Sequence, residues 1–418
     1  MVASLPRTTL ADRARALDHQ TMRAQAEDRH ASRLDPPRGR ERLLSAEFIR
    51  VTVANFFFFL TFASFFLLPL HIRALGGSEQ TVGLVMGMAG LSGLASILVV
   101  GRLLDRFGRR IFLIAGLALM ALASSGFLYV DRVGPALFLL RALQGLAFAA
   151  GFNAASTLAV ELAPPDRMAA ALGLFGISTL TTHAIAPTIG EQIVHLAGFR
   201  ALFLVAAGFS LLGLVIAWPL REPRRHASAP AGRLRVPARL RVLIATVGCC
   251  GVAFGAVITF VPTFVRDDRL GPVSTFFLAY TASAVLTRLT LGHLSDTVGR
   301  RRVIMPGLGL LASSIAGLAL VHGPITLGGI GLAFGLAQGI VYPTLNAFSV
   351  DHAQAGQLGR VQTLYNGTFN LGTTLGSLGL GSVVQAYGHR QMFLCAASVA
   401  MAALAIFGAG TYEPTAAE

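Results

Sequence analysis

The chain has no lysine. All 34 of its basic residues are arginine, which reads as the mark of a GC-rich genome rather than of a function. Charge of any kind is scarce. Only 13% of the residues are charged and 54% are hydrophobic, with a mean hydropathy of +0.65. A soluble domain carries about 25% charged residues. A soluble globular protein is therefore excluded, because too little polar surface would remain to keep it in solution. Cysteine is also scarce. Cys249 and Cys250 are adjacent within an apolar run and Cys395 stands apart. No disulfide or metal spacing results, and all three read as small core residues. The first 46 residues hold nine Arg against six acids. They lack the apolar core of a cleaved signal peptide and read as a polar cytoplasmic tail. There is no P-loop pattern, nucleophile elbow, zinc spacing or dinucleotide fingerprint. This speaks against an enzyme, a resident cofactor, a metal site or ATP as energy source.

What is present is apolar length. From Glu47 onward twelve apolar segments follow one another, at 47–73, 80–101, 111–130, 134–162, 167–193, 199–220, 241–265, 271–292, 303–321, 324–350, 357–386 and 389–411. Each is near or above the roughly 20 residues that a helix needs to cross a hydrocarbon core. Lipid offers the backbone no hydrogen-bonding partners, so each must be helical, giving an all-α membrane protein. Six segments precede and six follow a linker at 221–240, which carries Pro223, Pro230 and Pro237 with a cluster of Arg. Residues 412–418 form a short second tail. With the N-terminus inside, 26 Arg fall on the cytoplasmic side and six on the outer side, leaving Arg141 and Arg288 within spans. That asymmetry predicts both termini in the cytoplasm. It also accounts for the net charge of +14 without nucleic acid as a partner.

One short pattern occurs twice. Gly101 to Arg110 reads Gly-Arg-Leu-Leu-Asp-Arg-Phe-Gly-Arg-Arg, and Gly292 to Arg301 reads Gly-His-Leu-Ser-Asp-Thr-Val-Gly-Arg-Arg. Both are G-x-x-x-D-x-x-G-R-R, each between two apolar segments. A chain with duplicated halves, each with a charged turn at the same place, is most simply a transporter built from repeats. Gly101 and Gly292 are expected to allow close helix approach. Asp105 and Asp296 sit near helix ends, where a carboxylate can meet Arg side chains or a helix N-terminus. Arg109, Arg110, Arg300 and Arg301 anchor the turns, with Gly108 and Gly299 before them.

On these residues the chain resembles the major facilitator superfamily, whose loop motif lies between helices 2 and 3 and again between helices 8 and 9. The resemblance implies two pseudo-symmetric six-helix bundles, 47–220 and 241–411, around a central cavity. It also implies that the motif network holds the cytoplasmic ends of the bundles together in one conformation and releases them in the other. Arg141-Ala-Leu-Gln144-Gly145 resembles the Arg-x-x-Gln-Gly pattern of proton-linked members. Gly173, Pro187 and Gly190 match part of the antiporter pattern of drug exporters, while Thr182, Ala186 and Glu191 depart from it.

Further candidates come from the cost of polar groups in a membrane. His183 lies mid-span and histidine changes charge near neutral pH, so it is a candidate proton carrier. Glu191, near an outer span end, is a second. Glu161 is read as interfacial. Arg288 precedes Gly292 by one turn and is expected to brace the second motif. Asn55, Asn153, Tyr280, Gln338, Tyr342, Tyr365, Asn366 and Asn370 are candidates for polar cavity contacts, or for helix–helix contacts. Of Phe56, Phe57, Phe58 and Phe59 only some can face the cavity. Phe127, Phe148, Phe152 and Phe260 are candidates for an apolar wall. The sequence thus points to a monomeric, proton-coupled exporter of small amphiphilic organic compounds in a bacterial inner membrane. A proton symporter importing an organic acid or sugar is the alternative within transport. A non-transporting sensor on the same fold is the alternative outside it.

Overall fold

The computed structural model describes residues 45–164, 167–222, 237–292, 294–353 and 357–411. The predicted tails and most of the linker lie outside them. Residues 46–418 form one compact unit, and among its described residues there is no strand. Span 1 runs over Ala46–Ala74, with a 3-10 turn at Phe65–Leu67 just before Pro69. Span 2 is Glu79–Phe107. Span 3 is Arg109–Gly126 with a terminal 3-10 turn at Phe127–Tyr129. Span 4 is Pro135–Leu162. Spans 5 and 6 share the helix Met168–Ala217, broken where Gly198 takes φ +77°. The second half repeats the series. Span 7 is Ala238–Asp267 and span 8 is Val273–Leu291, followed by the short helix Leu294–Val298. Spans 9 to 12 are Arg300–Leu318, Pro324–Asp351, Leu358–Tyr387 and His389–Gly410.

The repeat is visible in how the elements end. Span 4 and span 10 each open on a Gly-Pro pair, Gly134-Pro135 and Gly323-Pro324, with proline in the first helical turn, where a missing N–H costs nothing. Each motif copy turns at a glycine of positive φ, Gly108 at +99° and Gly299 at +100°. A side chain is strained in that conformation, which explains the invariant spacing of the second glycine between the two copies. The first glycine has a different role from the one expected. A Cβ at Gly101 would meet nothing within 4 Å, and one at Gly292 would meet only its own preceding turn at Arg288. Close approach is made elsewhere. Gly145 lies against the carbonyl of Ala89 between spans 2 and 4, and Gly251, Gly255, Gly372 and Gly376 bring spans 7 and 11 into backbone contact.

Within the first half, span 1 packs on the span 5–6 helix and span 4 packs between spans 2 and 3; within the second, span 7 packs on spans 11 and 12 and span 10 between spans 8 and 9. Span 2 against span 11 and the span 5–6 helix against span 8 join the halves. Among the described residues eight helices are long and apolar enough to cross a membrane, one of them the broken helix that holds spans 5 and 6. Spans 8, 9 and 11 fall outside that set. They carry Arg288, the arginines Arg300 to Arg302, and Asn366 with Asn370. Polar groups in a span are costly and tend to serve a site, and two of these three spans build the site described next.

Candidate functional site

The halves are tied together at the end opposite the two motif loops, here the far end. Glu79 is the first residue of span 2 and only 5% exposed. Its Oε1 lies 3.2 Å from the Arg73 guanidinium at the end of span 1. Its Oε2 accepts a hydrogen bond from Thr263 of span 7 at 3.1 Å and lies 3.7 Å from His389 Nε2 at the start of span 12. The Glu79 backbone N–H donates to Gln385 of span 11 at 3.2 Å. Arg73 also reaches Asp267 at 3.8 Å, and Arg266 donates to the Leu70 carbonyl at 3.2 Å. Glu79, Asp267 and His389 offer ligand atoms within 4.8 Å of one another. Arg73 already supplies positive charge to the two carboxylates of that group.

The second tie is made by Glu191. Its Oε1 accepts from Val273 N–H at 2.8 Å and its Oε2 from Ser274 N–H at 3.0 Å. These are the first two residues of span 8, preceded by Pro272, which provides no side-chain cap. A carboxylate from one half therefore caps a helix of the other, using free N–H groups and the positive end of the helix dipole. Glu191, a candidate proton carrier in the sequence, is engaged in this contact between the halves.

At the motif end the described contacts hold each half to itself. Arg109 pairs with Glu161 at the end of span 4 at 3.0 Å, and Arg110 donates to the Trp218 carbonyl after span 6 at 2.6 Å. Glu222 receives the backbone N–H groups of Arg109 and Arg110 at 2.7 and 2.8 Å. The second copy does the same with its own half. Arg300 pairs with Asp351 at the end of span 10 at 3.0 Å and with Asp296 one turn before it. Arg301 reaches Thr411 and the Gly408 carbonyl at the end of span 12. The side chain of Asp105 lies outside the described residues.

Between the two ends an aromatic wall crosses from one half to the other. Phe62 packs on Phe148 with centroids 4.9 Å apart, Phe148 on Phe152 at 5.2 Å and Phe62 on Phe66 at 6.1 Å. Phe66 stacks on Phe277 of span 8 at 5.5 Å and lies 5.1 Å from the His183 ring. His183 Nδ1 stands 3.4 Å from the Tyr280 hydroxyl. The wall continues through Phe334, Phe254, Phe369 and Tyr342 to Tyr365. The Tyr342 hydroxyl donates to Asn366 Oδ1 at 2.9 Å and the Tyr365 hydroxyl to the Tyr342 carbonyl at 2.7 Å. Phe62, Phe148, Phe152, Phe254, Phe369 and Tyr342 are half-buried, and Asn366 and Asn370 are exposed.

The predicted residues separate into distinct places. Arg288, His183, Tyr280 and Tyr342 come together in this region. The packing of Gly335 on Tyr280 and of Gly339 on Thr287 sets the Arg288 and Tyr342 turns side by side. No bond from its side chain to the second motif is found among the described residues, so the bracing role is not supported. Arg141 is elsewhere. It is 3% exposed, donates to Gln144 at 2.7 Å and lies 6.0 Å from the Phe65 ring centroid, sealed in the first-half core. Asn55 bonds Thr179 at 2.9 Å between spans 1 and 5 and Asn153 bonds the Ala149 carbonyl of its own helix at 2.6 Å, while Gln338 is buried in span 10. Of these, Asn55 makes a contact between spans. Phe127 and Phe260 are buried core and do not line a wall, and Cys395 is exposed, unlike Cys250. Pro187 has no N–H for the His183 carbonyl one turn before it, which leaves that carbonyl unpaired by the helix. The Glu79 network is not legible in the sequence, because an acid after Ser78 reads as an ordinary helix start and its partners in the other half are 184 to 310 residues away.

A pseudo-symmetric pair of six-helix halves, joined at one end over a mid-membrane aromatic region, defines a multi-pass membrane transporter of small molecules rather than an enzyme. The sequence matches the Major Facilitator Superfamily over residues 51–377 and 270–417, and the chain belongs to that family. It is 27% identical over 366 residues to the multidrug resistance protein MdtG of Dickeya zeae (strain Ech586), covering 84% of this chain and 89% of that protein. It is 26% identical over 344 residues to a homologue of the multi-drug resistance efflux pump PmrA from Lactococcus lactis subsp. lactis (strain IL1403), covering 77% and 83%. Among solved structures, a bacterial homologue of the human lysosomal transporter Spinster, in an inward-facing and occupied conformation, aligns with TM-score 0.78 at 15% identity. It covers 90% of this chain and 100% of that one. At that identity the likeness is one of fold.

Proposed function

We propose that the chain is a proton-linked exporter of small amphiphilic organic compounds, working as a monomer by alternating access in the bacterial inner membrane. The observation that carries this reading is the one-sided seal. Glu79 and Glu191 tie the halves at the far end, while the motif-end contacts found among the described residues stay within each half. The 26-to-6 distribution of Arg places the motif end, the linker and both tails in the cytoplasm. The sealed end is then the outer face, and the state is the one that loads cargo from inside. Relatives named as multidrug resistance and efflux proteins support the outward direction. The two motif copies act as latches that exchange partners when the inner ends close. His183, facing Tyr280 and Arg288 at the junction of the halves, is the proposed site of the coupling proton. Arg141 with Gln144, and Pro187, set the shape of spans 4 and 5 around it.

The test is flux in everted vesicles across a panel of anionic, zwitterionic and cationic fluorescent amphiphiles, with and without an imposed pH gradient. Accumulation of at least one compound that collapses with the gradient supports export. Flux equal to vesicles lacking the protein for every compound overturns it, and accumulation only under the reversed gradient favours symport. His183→Ala is expected to abolish gradient-driven flux and to spare exchange of cargo for cargo. Reporter fusions at Arg132 should read external.

A further inference from the structure

The arginine in the last turn of span 8 has no counter-ion among the described residues. Arg288 lies 15 residues into span 8, about 22 Å along the helix from its far-end start. It is half-buried, its Nε is buried without a hydrogen-bond partner, and among the described residues no carboxylate pairs with it. Sequence explains why. Between Asp296 and Asp351, and again from Asp351 to Glu413, the second half carries no acid, and span 8 itself contains none. Asp296 and Asp351 are both committed to Arg300. A guanidinium stays charged at any physiological pH, and an unpaired charge in a membrane interior is costly. It is retained where something outside the fold compensates it.

The surroundings say what that is. Tyr280 stands on the same helix two turns earlier, a spacing that shares a face. Gly335 and Gly339 of span 10 pack against Tyr280, Ser283 and Thr287 of span 8, which sets Tyr342 beside the Arg288 turn, and Tyr365 meets Tyr342 from span 11. Asn366 accepts from Tyr342 through Oδ1, which leaves its exposed amide N–H groups to donate. Phe369 and Phe254 continue the ring surface away from this polar point. Arg141, the other arginine within a span, cannot substitute, since it is sealed against Phe65 and Gln144.

We infer that Arg288, with the amide N–H groups of Asn366 that Tyr342 holds in place, forms an anion subsite that takes the carboxylate of an aromatic organic acid, whose ring lies along Tyr342, Phe369 and Phe254. This rests on the transport reading above and names the class of cargo. A guanidinium holds a carboxylate through paired N–H donors, and stacked rings accept many apolar bodies of different shape. An ammonium ion meets only repulsion here, because no acid stands nearby to receive it.

Three naphthalene probes of one shape separate the contributions: 2-naphthoate, 2-naphthamide and 2-naphthylmethylammonium. Binding to the full chain in lipid nanodiscs is read by probe anisotropy. The expected order is naphthoate tightest, naphthamide about tenfold weaker, and the ammonium weakest. Arg288→Gln should bring naphthoate down to the naphthamide level and so erase the preference for the anion, with circular dichroism and the melting temperature of the variant as the control for folding. Arg288→Lys should keep part of the preference, because charge remains while the paired geometry is lost. If Arg288→Gln fails to fold, Tyr342→Phe with Asn366→Ala must reduce naphthoate binding more than naphthamide binding. An unchanged naphthoate preference in Arg288→Gln, or the ammonium as the best wild-type ligand, overturns the proposal. Export of a cationic amphiphile without naphthoate binding would retain the export reading and remove the anion subsite.

Discussion

The two ends of the molecule use the same chemistry for opposite purposes. At the far end the named carboxylates reach across the halves, Glu79 to span 7 and span 12, Glu191 to span 8. At the motif end Glu161, Glu222 and Asp351 each answer an arginine or a helix start of their own half. Glu79 is also drier than the motif-end acids, its side chain 7% exposed against 26% for Glu161 and 45% for Asp351. Strength follows from dryness, because an exposed pair is screened and a buried one is not. Energy that holds the halves together is thus concentrated where they meet, and the motif end is left with contacts that keep each half intact during movement.

The largest effect is expected from Glu79→Ala. Removing the buried carboxylate leaves Arg73 only the more distant Asp267 and leaves Thr263 and His389 without their partner in the other half, a loss of about 3 kcal/mol. That would shift the population of the closed far end roughly a hundredfold. Distances between spin labels at Arg132→Cys and His322→Cys, in a background without the three native cysteines, should lengthen. Unchanged distances would mean that the far end is held by packing alone. Glu191→Ala comes next. It deletes two hydrogen bonds to backbone N–H groups and one favourable helix-dipole contact, together about 2 kcal/mol. The same labels should report a smaller shift in the same direction.

Changes at the motif end should leave that distance alone. Glu222→Gln weakens the cap of span 3 by about 1 kcal/mol, visible as a lower melting temperature of the purified protein with no change in far-end distance. Asp351→Asn should do least, between about 0.2 and 1 kcal/mol, since Arg300 keeps Asp296 and the pair is largely exposed. Should Asp351→Asn move the far-end labels as far as Glu79→Ala, the contrast between the ends would not hold.

Much of this arrangement can be read from the chain. The spans follow from apolar length, and the glycines at 108 and 299 follow from a turn that both copies of the motif must make. Helix starts at Gly134-Pro135 and Gly323-Pro324 obey a local rule. The contacts that decide conformation do not, because each joins residues from different spans. Spans 4, 5, 8 and 10 are apolar nearly all round, so periodicity does not say which face meets the cavity. Arg141 and Arg288 look alike in sequence, each a lone arginine among apolar residues. One proves to be braced by Gln144 in a core and the other stands without a partner beside three tyrosines. Spacing of one turn from Gly292 suggested a motif contact for Arg288, but its side chain is drawn to the tyrosines of spans 10 and 11. Glu191 looked like a departure from an exporter pattern and is instead the cap of a distant helix.

The Glu191 contact has a consequence for how such proteins diverge. Its partners are main-chain N–H groups, which every residue except proline supplies. Substitutions at 273 and 274 can therefore accumulate without weakening it, provided proline is avoided and span 8 still begins there. Only position 191 bears the selective pressure. The pairing leaves no matched changes at two sites, so a search of related chains for residues that change together would pass over it. A carboxylate held at this one position, opposite two buried positions constrained by packing and not by the contact, is the signature to look for.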